Sequence, residues 1–86
     1  MTKRDRHECY KIALVHITTN RDRCCCNALR HAYYMTTGLY YISMYEFTEF
    51  IELKPENANL TNFWWNADDK QSRIEALEQC IEQTKP

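Results

Sequence analysis

The sequence predicts a mainly α protein, a compact bundle of three to four short helices in one domain that spans residues 1–86. Three observations support this: apolar residues recur at helical spacing, capping residues precede them, and the chain holds only one glycine and two prolines. A chain of 86 residues has room for one hydrophobic core. The alternative fold is α+β, with a short strand near residues 11–18.

The first helix is predicted from about Lys3 to Thr18, with Thr2 as its N-cap. The side chains that fall on one face of this helix are Tyr10, Ala13, Leu14 and Ile17. Residues 11–18 also carry several β-branched side chains, which favour strands, and periodicity alone does not exclude that alternative.

A second helix is predicted from about Asp22 to Thr37, capped by Asn20 or Asp22. Gly38 stands where a helix C-terminus often requires positive φ. The side chains that line up along the predicted buried face are Cys25, Leu29, Ala32 and Thr36.

A third helix is predicted from about Met44 to Leu53, and Pro55 would end it. Its start shows a capping box and a hydrophobic staple, formed by Ser43 with Glu46 and by Ile42 with Phe47. The asparagine-rich residues 56–68 that follow are predicted to form an ordered loop.

The last helix is predicted from about Asp69 to Gln83, with Asp68 or Asp69 as its cap. Its apolar stripe consists of Ile74, Leu77 and Ile81, with Cys80 beside it.

Charge is unevenly distributed, although the net charge is only −1. Residues 1–31 carry seven Lys or Arg against three Asp or Glu, and residues 32–86 carry four against nine. This polarity can orient a charged partner. No apolar stretch is long enough to span a bilayer, so we expect a cytoplasmic protein without membrane contact.

Cysteine and histidine are numerous, yet their spacing matches none of the structural zinc motifs. An odd number of cysteines, five, favours free thiols in a reducing compartment. Within residues 24–26 the thiols diverge on a helix, so Cys25 or Cys26 is interpreted as a small buried apolar side chain. We therefore expect no metal, no cofactor and no enzymatic activity, with a site of Cys9, one cysteine of this triplet and a histidine as the alternative.

The aromatic residues are the most informative candidates for binding, because they exceed what one small core readily encloses. Tyr and Trp at a surface are typical of protein interfaces. The predicted protein-binding residues are Tyr40, Tyr41, Tyr45, Phe63, Trp64 and Trp65. The alternative is nucleotide or nucleic-acid binding through Arg21, Arg23, Arg30 and Tyr34, which would combine phosphate contacts with ring stacking. The absence of a positive net charge disfavours nucleic acid.

Several short runs of the chain form a recognisable set: Cys26-Asn27-Ala28-Leu29, Tyr33-Tyr34, Tyr45-Glu46-Phe47, Phe50-Ile51-Glu52-Leu53-Lys54-Pro55, Phe63-Trp64-Trp65 and Ser72-Arg73-Ile74-Glu75-Ala76-Leu77. Together they resemble small uncharacterised proteins of tailed bacteriophages. The resemblance implies an accessory protein of the host cytoplasm that binds and inhibits or redirects a host protein, such as a CRISPR immunity component. The alternative interaction is self-association of the chain into a homo-oligomer.

Overall fold

The computed structural model describes residues 2–38 and 69–86, apart from the side chain of Cys26. These residues form three helices, α1 (Lys3–Thr18), α2 (Cys25–Thr37) and α3 (Lys70–Gln83). Helices make up 78% of the described residues, which contain no strand. The predicted mainly α fold is confirmed, and the alternative strand near residues 11–18 is wrong because this segment belongs to α1. The predicted helix over residues 44–53 and the predicted loop over residues 56–68 lie outside the described residues.

A capping box starts α1 at the predicted position. The Thr2 hydroxyl accepts a hydrogen bond from the Asp5 backbone N–H at 3.1 Å. In return, the Thr2 backbone N–H donates to the Asp5 carboxylate at 3.3 Å. Two of the N–H groups that a helix start leaves without partners are satisfied in this way.

The start of α2 differs from the prediction. The helix begins at Cys25, and its N-cap residue Cys24 makes no capping hydrogen bond through its side chain. Neither predicted cap acts as one, because Asp22 accepts hydrogen bonds from two histidines and Asn20 accepts one from Lys70 at 2.8 Å. At the other end Gly38 adopts the predicted left-handed conformation with φ of 76°.

Asp69 caps α3, as predicted. Its carboxylate accepts hydrogen bonds from the Gln71 backbone N–H at 3.0 Å and from the Ser72 hydroxyl at 2.9 Å. The Ser72 bond is the main reason that the pKa of Asp69 lies below its usual value. These contacts stabilise the ionised carboxylate next to the positive end of the helix dipole.

Contacts at both ends of α1 show that it lies antiparallel to α2 and to α3, and α1 packs against both. Cys9 in the first half of α1 donates to Thr36 near the end of α2. His7 lies 3.1 Å from the carbonyl oxygen of Ile81 near the end of α3. The loop after α1 is in turn bound by Lys70 at the start of α3.

Small side chains dominate the core that these contacts enclose. Its buried members are Cys9, Tyr10, Ala13, Ile17, Cys25, Ala28, Leu29, Ala32, Tyr33, Ala76, Leu77 and Cys80. Alanine and cysteine leave little bulk between helix axes, so the helices can approach closely. Ile74 and Ile81 are only partly buried, which places the centre of the α3 stripe on Leu77 and Cys80.

None of the helices in the described ranges combines the length and the apolar character that crossing a membrane requires.

Candidate functional site

The predicted protein-binding aromatics all lie outside the described residues, so their role stays a prediction. They are Tyr40, Tyr41, Tyr45, Phe63, Trp64 and Trp65.

The residues of the alternative nucleotide site are described, and all four are exposed. Arg30 and Tyr34 are four positions apart on α2, so they lie on the same side of that helix. Arg21 and Arg23 belong to the loop before α2, and the Arg23 backbone carbonyl accepts a hydrogen bond from the Arg73 guanidinium. One helix surface therefore presents a cation and an aromatic ring together.

The exposed surface of α2 extends beyond this pair. We call it the outer face of α2, and it consists of Asn27, Arg30, His31, Tyr34 and Met35. Tyr34 is 46% exposed and Met35 is 61% exposed, although both are large and largely apolar.

A second group of functional side chains lies where α1, the following loop and α2 meet. Nδ1 of His16 lies 2.9 Å from Oδ2 of Asp22, and Nδ1 of His31 lies 2.7 Å from the same oxygen. The two imidazole ring centroids are 5.5 Å apart, with 43° between the ring planes. We call these three residues the His–Asp–His cluster.

Backbone geometry brings Asp22 to this position. Asn20 adopts a left-handed conformation with φ of 61°, which reverses the chain after α1. The backbone N–H groups of Arg21 and Asp22 then both donate to the carbonyl oxygen of His16, at 2.9 and 3.1 Å. The loop thus folds back onto the last turn of α1. Asp22 contacts His16 twice, because its backbone N–H donates to the His16 carbonyl oxygen and its carboxylate faces the His16 imidazole.

Burial differs strongly within the cluster. The side chain of Asp22 is 7% exposed and that of His16 is 11% exposed, whereas that of His31 is 60% exposed. An ionised carboxylate only accepts hydrogen bonds, so each Nδ1 must carry the proton in these contacts. In the neutral rings Nε2 is then the acceptor, and Asp22 fixes the tautomer of both histidines.

The sequence does not predict this cluster, because Asp22 is there one of two candidate caps of the second helix. Its members are spaced H-x5-D-x8-H across two helices and a loop, a pattern that matches none of the short metal motifs with a fixed helical register. Two histidines that bracket an aspartate in a short inter-helix loop were the available signal.

The buried thiols of the core have raised pKa values. Burial raises the pKa of Cys80 to about 12 and also raises that of Cys9. These two thiols therefore stay protonated at neutral pH and are poor nucleophiles and poor metal ligands. Cys25 is fully buried, as predicted for a small apolar side chain. Among the described residues, which leave out the side chain of Cys26, only the His–Asp–His cluster groups three such ligands, so the alternative metal site with Cys9 stays a prediction.

A cleft of about 580 Å³ lies between the start of α1 and the end of α3. Its lining residues are Lys3, Arg4, His7, Glu8, Thr84 and Pro86. His7 contacts the end of α3, because its Nδ1 lies 3.0 Å from the hydroxyl oxygen of Thr84. The Thr84 hydroxyl in turn donates a hydrogen bond to the carbonyl oxygen of Cys80.

Comparison of the chain with protein-family models, with curated proteins and with solved structures gives no match in any of the three.

Proposed function

We propose that this chain is a small helical binding protein that acts by contacting another protein through the outer face of α2. The observation that carries the proposal is the exposure of Tyr34 and Met35 beside Arg30. These three residue types are enriched in protein interfaces, where Tyr and Arg often dominate the binding energy.

The charge pattern suggests the chemistry of the partner. Arg30 lies on the face itself, and Arg21 and Arg23 are exposed in the loop that leads into the same helix. A partner with an apolar pocket and an acidic rim would match this surface and would be attracted to it at long range.

The resemblance to small phage proteins supports a bacterial host protein as this partner. Inhibition or redirection of an immunity component such as CRISPR is the role that we propose within that setting. A second copy of this chain is the alternative occupant of the face. The high pKa of the Cys9 and Cys80 thiols supports binding over cysteine-based catalysis.

Affinity purification from bacterial lysate with variants of α2 tests the proposal. Tyr34→Ala removes an exposed ring, and Thr37→Ala is the matched control on the same helix. We expect a protein that the parent chain and the control retain but that Tyr34→Ala loses, with about 30-fold or weaker affinity when the purified partner is titrated. Circular dichroism checks that both variants stay helical.

Equal recovery of every bound protein by the parent chain and by Tyr34→Ala would remove the outer face of α2 as the contact surface. Concentration-dependent self-association that Tyr34→Ala abolishes would identify the chain itself as the partner.

Binding of a nucleotide or a single-stranded nucleic acid is the second candidate, favoured by the position of Arg30 one helical turn from Tyr34. Such binding would weaken steeply with salt and on Arg30→Ala, because phosphate contacts release counterions. Fluorescence anisotropy with labelled oligonucleotides and nucleotides measures it, with Lys85→Ala as the control for loss of an exposed charge. No anisotropy change at low salt would eliminate this candidate.

A further inference from the structure

The geometry points to a binding site for a divalent transition-metal ion of the Zn²⁺ class in the His–Asp–His cluster, with His16, Asp22 and His31 as ligands. This site shares His31 with the outer face of α2, but it does not rest on the proposed protein contact, since its ligands are brought together by the junction of α1, the loop and α2.

The three ligand atoms are already assembled. One atom from each residue lies within 4.8 Å of the other two. Ligands that bind an ion at about 2.1 Å lie about 3.0 Å apart when they are at right angles and about 3.4 Å apart in a tetrahedron. The Nδ1 to Oδ2 distances are 2.9 Å for His16 and 2.7 Å for His31. These two distances therefore differ from coordination spacing by only a few tenths of an ångström. The third distance, between the ligand nitrogens of His16 and His31, lies within 4.8 Å, and the exposed imidazole of His31 would close it by rotating toward the ion.

The donor set indicates which ions the site would take. Two imidazoles and one carboxylate suit first-row transition ions such as Zn²⁺, Co²⁺, Ni²⁺ and Fe²⁺, whereas Mg²⁺ and Ca²⁺ prefer oxygen ligands alone. Three protein ligands leave at least one coordination position for water.

Burial and access also fit such a site. The carboxylate of Asp22 is almost fully buried, and its Oδ2 lies within hydrogen-bond distance of both imidazoles. An ion that binds the two Nδ1 atoms would neutralise the negative charge of Asp22. The proton of each neutral imidazole would move from Nδ1 to Nε2, so neither ring loses a proton. His31 is largely exposed and provides the path by which an ion enters.

His31→Gln is the decisive variant, because an exposed side chain can be replaced without disturbing the core. Asp22→Asn is the second variant, and it keeps the shape of the carboxylate while removing its charge. His7→Gln is the matched control, since His7 lies at the opposite end of α1 and contacts α3.

The experiment is calorimetric titration of Zn²⁺ into the full chain, without a histidine tag and with a non-chelating reductant. We expect one ion per chain with micromolar or tighter affinity, unchanged in His7→Gln and at least about tenfold weaker in His31→Gln and in Asp22→Asn. Bound Zn²⁺ should also raise the thermal unfolding midpoint of the parent chain and not that of His31→Gln.

Spectroscopy distinguishes this ligand set from binding by cysteine. Co²⁺ bound by nitrogen and oxygen gives weak visible bands without the intense near-ultraviolet band of thiolate ligation, and we expect the former. In NMR spectra, Zn²⁺ should shift the imidazole resonances of His16 and His31 and leave those of His7 in place. A thiolate band, equal affinity of the parent chain and His31→Gln, or no binding below millimolar Zn²⁺ would each overturn the assignment.

Discussion

At the scale of single residues, the buried pair of Tyr10 and Cys80 shows how the core changes ionisation. Both side chains are fully buried, one on α1 and the other on α3. The Tyr10 hydroxyl is hydrogen-bonded to the Cys80 thiol, and burial is the largest cause that raises the pKa of each group. Folding therefore favours the neutral form of both side chains.

The raised pKa of Cys80 predicts that the protein loses stability at alkaline pH. Cys80 has a folded-state pKa of about 12 against an ordinary value of 9.0, so its stabilising contribution is complete below pH 9 and is lost as the pH rises toward 12. Each such group lowers the free energy of unfolding by at most about 1.4 kcal/mol per pH unit in this window.

Urea unfolding between pH 7 and pH 10.5, under reducing conditions, measures the slope. Cys80→Ala should show a shallower decline than the parent chain, whereas Gln79→Ala, at an exposed and non-titrating position on the same helix, should keep the full decline. Identical slopes in Cys80→Ala and the parent chain would contradict the role of this thiol.

At the scale of elements, helix ends were predictable where the signal is local. Thr2, Asp69 and Gly38 each act as the sequence predicts, because the contacts of a cap lie within a few residues along the chain. The start of α2 was not predictable in this way. Instead of capping α2, the Asp22 carboxylate binds one imidazole from each of two helices, and local sequence does not show that His16 and His31 reach the same carboxylate.

Gly38 offers a test of such a local signal. Its φ of 76° is unfavourable for residues with a Cβ, yet a Cβ placed there would meet no atom within 4 Å. Gly38→Ala should therefore lower the free energy of unfolding by about 1 kcal/mol through backbone conformation alone. Gly38→Asn should cost less, since asparagine tolerates this region. Chemical denaturation compares the two, and an equal or larger loss in Gly38→Asn would indicate a steric cause instead.

At the scale of the whole molecule, α1 is the element on which the described core depends, because both other helices pack against it. The apolar stripe of α3 predicted the helix and its buried side, but it did not predict how deeply each side chain is buried. Leu77 is fully buried against α1, whereas Ile74 and Ile81 are only partly buried. Periodicity identifies a face, but it does not show how the neighbouring helix crosses that face.

Two substitutions in α3 distinguish these depths. Leu77→Ala should destabilise the protein by about 2–5 kcal/mol, since it removes a buried side chain and leaves a cavity. That is a large part of the total stability of a small domain. Ile81→Ala should cost less, because part of that side chain already contacts water. Thermal and chemical denaturation measure both, and the reverse order would show that α3 packs in another register.

The antiparallel placement of α3 on α1 has a consequence during synthesis on the ribosome. The α1–α2 pair can form soon after residue 37 emerges, because a loop of six residues joins the two helices. Tyr10 can contact Cys80 only after about 40 more residues have been synthesised, and their synthesis takes about 2–9 s at typical elongation rates. Through this interval the nascent chain exposes the side of α1 that α3 later covers, and general chaperones bind apolar surfaces of this kind.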